Sequence, residues 1–349
     1  MLRPDSPALL RLPMPELIYP AVAAVSAGLC ALLIIALHPL LVRYAMARPN
    51  ARSSHRVPTP QGGGLAVIAA TFFVAGAILV GTGQGLAGPA SVAAAGALLA
   101  LLGAVDDIKP LPAVPRLLVQ FFAVTTVVVA SEVQIFPEAV PSSVERAILV
   151  FAGVWFVNLV NFMDGIDWIT VAEVVPITAF LACLGVVGLV PPVPAIAAAS
   201  LCGAMLGFAP FNRPVARLFL GDVGSLPIGL ILGWLLLELA TTGAIVAAIL
   251  LPLYYLADAT ITLLRRLVAG ERIWEAHRTH FYQRASDHGF SMLAVSGRVF
   301  GLNIVLAVLA GVTILWPQPA VQMLALAAGV VAVTLQLRRF AGYGGMVWG

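Results

Sequence analysis

The sequence predicts an all-α fold: a polytopic membrane helix bundle of about eleven transmembrane helices, N-terminus outside and C-terminus cytoplasmic. Three observations carry that expectation. Hydrophobic residues make up 61% of the 349 positions and charged residues only 10%, where a soluble domain carries about 25% charged. Apolar runs of about 20 residues, enough to cross a ~30 Å hydrocarbon core, recur along the whole length. The basic residues are also lopsided. Sixteen of the 19 Lys and Arg fall on one side of the alternating spans, and only Arg3, Arg11 and Arg146 on the other. The positive-inside rule makes the basic side cytoplasmic.

The elements follow in order. The run from about Ile18 to Val42 is too long for a secretory signal and lacks a small-residue cleavage site, so it is expected to persist as a helix. Further spans are expected at 64–82, after a triple glycine, and at 88–105, closed by Asp106-Asp107. Spans at 115–131 and 145–162 come next, the latter ending in a polar Asn/Asp series. Those at 169–190, 192–209, 225–240 and 243–264 lead to a long basic loop, and 296–315 and 319–337 complete the count. Each must be helical, because hydrocarbon offers no water to satisfy open backbone groups. No soluble domain, repeat or low-complexity stretch interrupts this pattern, so residues 1–349 read as one integral membrane domain. Cys30, Cys183 and Cys202 lie inside apolar runs without paired spacing, which argues against disulfides and a zinc cluster.

The same parity gathers the polar motifs on the cytoplasmic face, in loops near 43–63, 105–116, 158–168, 210–225 and 265–295. Asp106-Asp107 sits at a helix C-terminus, where repulsion and the helix dipole disfavour two charges unless a cation neutralises them. Pairing with Lys109 and Arg116 is the plainer alternative. In Asn158-x-x-Asn161-x-x-Asp164-Gly-Ile-Asp167, steps of three keep the side chains near one helix face. They are expected to line a wet cavity or bond to one another across helices. Phe219-Leu-Gly-Asp222-Val-Gly-Ser225 brackets an aspartate with glycines just before a helix start, suited to close approach of a phosphate or to an ordinary turn. Three oxygen-rich clusters on one face suit a hard cation such as Mg2+, with Mn2+ as a substitute. His277 and His280 are three apart, as on a shared helix face, and with Arg278 would bind phosphate. A headgroup anchor is the alternative, and zinc lacks a third nitrogen or sulfur ligand. The loop from Arg52-Ser-Ser-His55 to Gly62-Gly63-Gly64 is basic, stiffened by Pro and then flexible.

Taken together, Arg-Ser-Ser-His … Pro-Thr-Pro-x-Gly-Gly-Gly, Val-Asp-Asp-x-Lys, Asn-x-x-Asn-x-x-Asp-Gly-x-Asp, Phe-Leu-Gly-Asp-x-Gly-Ser and His-Arg-x-His-x-Tyr-Gln resemble, in order, the polyprenyl-phosphate N-acetylhexosamine-1-phosphate transferases. The last motif looks like the O-antigen-initiating branch. The resemblance implies transfer of a phospho-N-acetylhexosamine from a UDP-sugar to undecaprenyl phosphate, giving UMP, at the inner face of the bacterial cytoplasmic membrane. It implies Asp222 as principal Mg2+ ligand, with Asp106 and Asp107 orienting the lipid phosphate or completing the metal shell. Asn158, Asn161, Asp164 and Asp167 would hold nucleotide and metal-bound water, and His277, Arg278 and His280 the sugar or pyrophosphate. Gly62 and Gly63 would line the substrate site. Undecaprenyl phosphate, UDP-N-acetylhexosamine and membrane lipids are the partners expected; nucleic acid is not, and a homodimer is open. Ala47, Gln61 and Trp168 depart from the family pattern. A proton-coupled carrier is the alternative class, but carriers place their acidic residues near the bilayer midplane.

Overall fold

In a computed structural model, residues 15–47, 58–131, 133–272 and 277–342 are described. The Arg52-to-His55 half of the first motif lies outside them, as do Arg3, Arg11, Glu132 and Glu275. The described residues are overwhelmingly helical. In chain order, α1 is Pro15–Tyr44, α2 Gly63–Gly81, α3 Ala87–Ile108, α4 Ala113–Ala130 and α5 Ser142–Met163. Then come α6 Ile169–Val186, α7 Pro192–Phe208, α8 Asp222–Thr241, α9 Ile245–Leu250 and α10 Leu253–Val268. Finally α11 is Phe281–Asp287, α12 Met292–Leu315 and α13 Pro319–Phe340. Two short strands, β1 (Met46–Ala47) and β2 (Thr59–Pro60), pair antiparallel and clip the first loop back onto itself.

Nine of the described helices are long and apolar enough to cross a membrane. Large apolar side chains such as Phe73 (69% exposed), Phe122 (65%) and Phe151 (77%) cover the outer surface. That surface is costly in water and free of cost against lipid. The protein is a multi-pass membrane protein.

Two expected spans differ from the sequence reading. α7 has 17 residues, so at 1.5 Å per residue it reaches only ~25 Å. The expected span 243–264 is two helices, α9 and α10, separated at Leu251-Pro252. Proline has no N–H to give and crowds the preceding turn, which breaks the hydrogen-bond ladder there.

α8 is the buried centre, with α2, α3, α5 and α9 against it. Small residues let its first turn come close to its neighbours. A Cβ on Gly64 would strike the backbone of Gly224, and one on Gly103 the backbone of Asp222. The α8 N-terminus therefore sits between the start of α2 and the end of α3.

Candidate functional site

At that end of the bundle the chain brings the expected motifs together. Asp107, in the last turn of α3, accepts the backbone N–H of Asp222 (3.0 Å) on one carboxylate oxygen and of Val223 (3.1 Å) on the other. It caps α8 from another helix, satisfying N–H groups that have no partner within their own helix. Gly221 makes room for it. Its φ of +76° is a left-handed value, and a Cβ there would meet Asp107 Oδ2 at 2.6 Å. Only glycine meets both demands without strain.

Asp222, in the first turn of α8, accepts a hydrogen bond from Asn161 Nδ2 (2.8 Å), which also donates to Ser225 Oγ (2.9 Å). Its carboxyl lies in the field of Asp107 and Asp106. Asp106 is itself tied back. Its carboxylate accepts Arg116 Nη1 at 2.6 Å and the backbone N–H of Leu111 at 2.6 Å. The plainer pairing is therefore present for Arg116, while Lys109 makes no ion pair among the described residues.

Adjacent carboxylates need a shared proton or a cation between them. The side chains at this point offer oxygen alone, a donor set suited to Mg2+. Among the described residues no cluster of three or more His, Cys, Asp or Glu is arranged to enclose a metal unaided.

The Asn/Asp series does not share one face. α5 ends at Met163, so Asp164 is its C-cap and Asp167 lies in the following turn. The four side chains diverge to separate partners. Asn158, one turn inside the bundle, donates to Gln120 Oε1 (2.6 Å) and Val154 O (2.8 Å). Asn161 reaches Asp222. Asp164 accepts Thr170 Oγ1 at 2.5 Å, and burial, with Asp107 and Asp167 nearby, pushes its carboxyl up to about 7. Asp167 accepts the backbone N–H of Ala216 (2.9 Å), bracing the 210–221 loop. Trp168 adopts φ +64° and is held by Asn212 Oδ1 on its backbone N–H (2.8 Å) and Ala209 O on its indole (2.6 Å).

The histidine loop also departs from the helical expectation. Residues 277–280 are not helical, and α11 begins at Phe281. The rings still stack, His277 on His280 at 4.9 Å between centroids and His280 on Tyr282 at 5.8 Å. The stack is anchored by Asp258, a residue that the sequence reading passed over. Fully buried in α10, it accepts the backbone N–H of Phe281 (2.9 Å) and Tyr282 (3.0 Å) and lies 3.4 Å from His280 Nδ1. Tyr282 then donates its hydroxyl to Phe162 O (3.1 Å), setting α11 against the end of α5 beside Asp164. Arg278 is half-buried, with no hydrogen-bond partner for its Nε. A carboxylate at the sixth position of α10, after a largely apolar first turn, was the available signal for Asp258, since such a group must have buried partners.

Gly62 and Gly63 are buried at the start of α2, where Gly63 N donates to Phe219 O (2.9 Å) and Gly64 N to Leu220 O (2.9 Å). Gln61 donates its side-chain amide to Asp107 O (2.8 Å). The first loop thus underpins the Phe219–Ser225 segment. A further missed pair is deeper: Glu173 of α6, fully buried, accepts Asn303 Nδ2 of α12 at 2.7 Å.

Comparison with known proteins bears on this arrangement. The model of glycosyl transferase family 4 matches residues 89–240. That stretch includes Asp106, Asp107, the Asn/Asp series and Asp222, and ends before the histidine loop. Over 114 residues the chain is 31% identical to the phospho-N-acetylmuramoyl-pentapeptide-transferases of Rickettsia massiliae (strain Mtu5) and Rickettsia akari (strain Hartford). The match covers 32% of this chain and 30% of each of theirs, so it spans less than a third of those relatives. Over 299 residues it is 29% identical to the decaprenyl-phosphate N-acetylglucosaminephosphotransferase of Mycolicibacterium smegmatis (strain ATCC 700084 / mc(2)155), covering 72% of this chain and 71% of that one. The matched segment supplies the acidic end of a membrane helix bundle, and over it the chain is similar to glycosyl transferase family 4.

Proposed function

We propose that this chain is a Mg2+-dependent polyprenyl-phosphate sugar-1-phosphate transferase. In this reading it moves a phospho-N-acetylhexosamine from a UDP-sugar to undecaprenyl phosphate at the cytoplasmic face of the bacterial inner membrane. It would perform the first membrane step of a surface polysaccharide of the O-antigen kind. The observation that carries the reading is the gathering of Asp107, Asn161 and Asp222 at the end of an apolar bundle, with Asp107 on the backbone N–H of Asp222 and Asn161 on its carboxylate. The names of the relatives support it, since one acts on a decaprenyl phosphate and transfers N-acetylglucosamine phosphate.

A lipid phosphate oxygen attacks the sugar-bearing phosphorus, the bond from that phosphorus to the bridging oxygen breaks, and UMP leaves with the electron pair. The lipid phosphate has a second pKa near ~6, so it is largely ionised without a base. What the protein must supply is position and positive charge between two anions. Bound Mg2+ would supply that charge. Asp222 and Asp106 would hold it, Asn161 fixes the Asp222 carboxylate, and Asp107 fixes the helix that bears Asp222. Asp164 faces the nucleotide side, and His277, Arg278 and His280 grip sugar or pyrophosphate oxygens.

The test is incubation of the purified protein with undecaprenyl phosphate and a panel of UDP-N-acetylhexosamines, with and without chelator. Lipid-linked product and UMP in equal amounts, abolished by chelator and restored by Mg2+, are expected. Product formation undiminished in chelator removes the metal role. No product with any UDP-sugar removes the reading.

A further inference from the structure

A second polar feature at the same end lies outside the groups assigned above. A cavity of about 330 Å³ opens between the last turns of α10 and the start of α11, lined by Thr262, Arg265, Arg266, Glu271, Thr279 and Arg284. Its charge is poorly balanced. Arg266 pairs with Glu271 at 2.8 Å, but that carboxylate is 50% exposed, and the Nε of Arg266 has no hydrogen-bond partner. Arg265 and Arg284 have no carboxylate partner among the described residues. Three guanidiniums against one carboxylate leave an excess of two positive charges, which a phosphate anion would satisfy by charge-assisted hydrogen bonds.

We propose that this cavity binds the headgroup of an anionic glycerophospholipid. The surroundings favour a lipid over a soluble phosphate. On α10, directly beside the cavity, Leu264 (54% exposed), Leu267 (58%) and Val268 (89%) present a bare apolar surface at the level of the arginines. A phosphate in the cavity with acyl chains laid along that surface satisfies both halves, as basic pockets at helix ends do for acidic lipids. The bound headgroup also braces the histidine loop from outside. The Arg265 guanidinium lies over the Phe281 ring (5.6 Å), and Thr279 Oγ1 is 2.9 Å from His277 Nδ1. The two readings of the basic loop therefore divide between different residues.

The experiment is native mass spectrometry of the full-length protein, titrated with phosphatidylglycerol or with phosphatidylcholine of the same chains. Phosphatidylglycerol is expected to bind at least about tenfold more tightly, the scale of one charge-assisted hydrogen bond. Arg265→Gln and Arg284→Gln should each remove most of that preference. Arg338→Gln, at an exposed basic position at the end of α13, should leave it intact. Equal binding of the two lipids overturns the site. Equal loss in Arg338→Gln does so too, since the attraction is then diffuse surface charge. Displacement of the lipid by an equal concentration of inorganic phosphate shows a site for free phosphate and overturns the lipid assignment. If a glutamine variant fails to insert, Arg284→Lys takes its place, keeping charge but losing the planar fork. It should weaken phosphatidylglycerol by at least about threefold, and wild-type affinity in this variant overturns the proposal.

Discussion

At the scale of single residues, the acidic site divides into groups held in place and groups left to act. Asp107 spends both oxygens on the backbone of α8, whereas Asp222 has only an amide and neighbouring carboxyls around it. Asp222→Asn keeps the shape and should leave the protein inserted and folded. It should cost at least about a hundredfold in turnover, a usual scale for lost electrostatic stabilisation of a transition state. Release of UMP measures it, and near wild-type turnover would remove Asp222 from the chemistry. Asp164 makes a different prediction. Its carboxyl is raised to about 7 by burial, so the folded protein keeps a proton that the unfolded chain loses above the ordinary carboxylate range. The sign follows: stability falls as pH rises from about 4 to 7 and is level above that. Asp164→Asn removes the penalty. Thermal unfolding in detergent should find it more stable than wild type at pH 8 and little changed at pH 4, while a substrate role predicts lower kcat/KM. A stability difference independent of pH would contradict the assignment.

Elements enter through what they allow to approach. α8 carries Asp222, and its first turn is pinned between α2 and α3 by Gly64, Gly103 and Gly224. Gly103→Ala places a methyl against the backbone of Asp222, which cannot yield as a side chain would. Overpacking of this kind costs roughly 1–3 kcal/mol, and it should also move the α8 terminus away from Asp107. A loss in both thermal stability and kcat is expected, and unchanged kinetics would mean that the first turn of α8 is more tolerant than its packing implies. The histidine loop depends on an element in the same way. Because α10 supplies Asp258 as the cap of α11, Asp258→Asn should lower stability by ~1.5–3 kcal/mol through lost hydrogen bonds to a charged acceptor. Glutamine at His277 or His280 should lower kcat/KM by about ten- to a hundredfold with stability less affected. Differential scanning of the purified variants separates the two effects.

For the whole molecule, the charge split of sixteen to three predicts that the acidic end faces the cytoplasm. Single cysteines at Lys109 and Arg213, introduced after replacement of Cys30, Cys183 and Cys202, should resist an impermeant reagent in intact cells. One at Glu138 should label readily, and the reverse pattern would invert the topology. Determined by the sequence itself were the membrane class, nearly all the spans and the five polar motifs. Hydropathy and charge are local quantities, and a span of about 20 residues records them wherever it later packs. The likeness of those motifs to one family was legible for the same reason. What only the tertiary structure decided was pairing between distant residues. It set Asp107 on the backbone of a helix 115 positions away, Asp167 on the 210–221 loop, Asp258 beneath the histidines and Glu173 on Asn303. It also undid two inferences from spacing, since α5 stops before Asp164 and the histidines precede α11. Spacing by three places side chains on one face only while the helix continues. Beyond its end the backbone turns, and the partners that satisfy each buried polar group come from other helices, which no local pattern encodes.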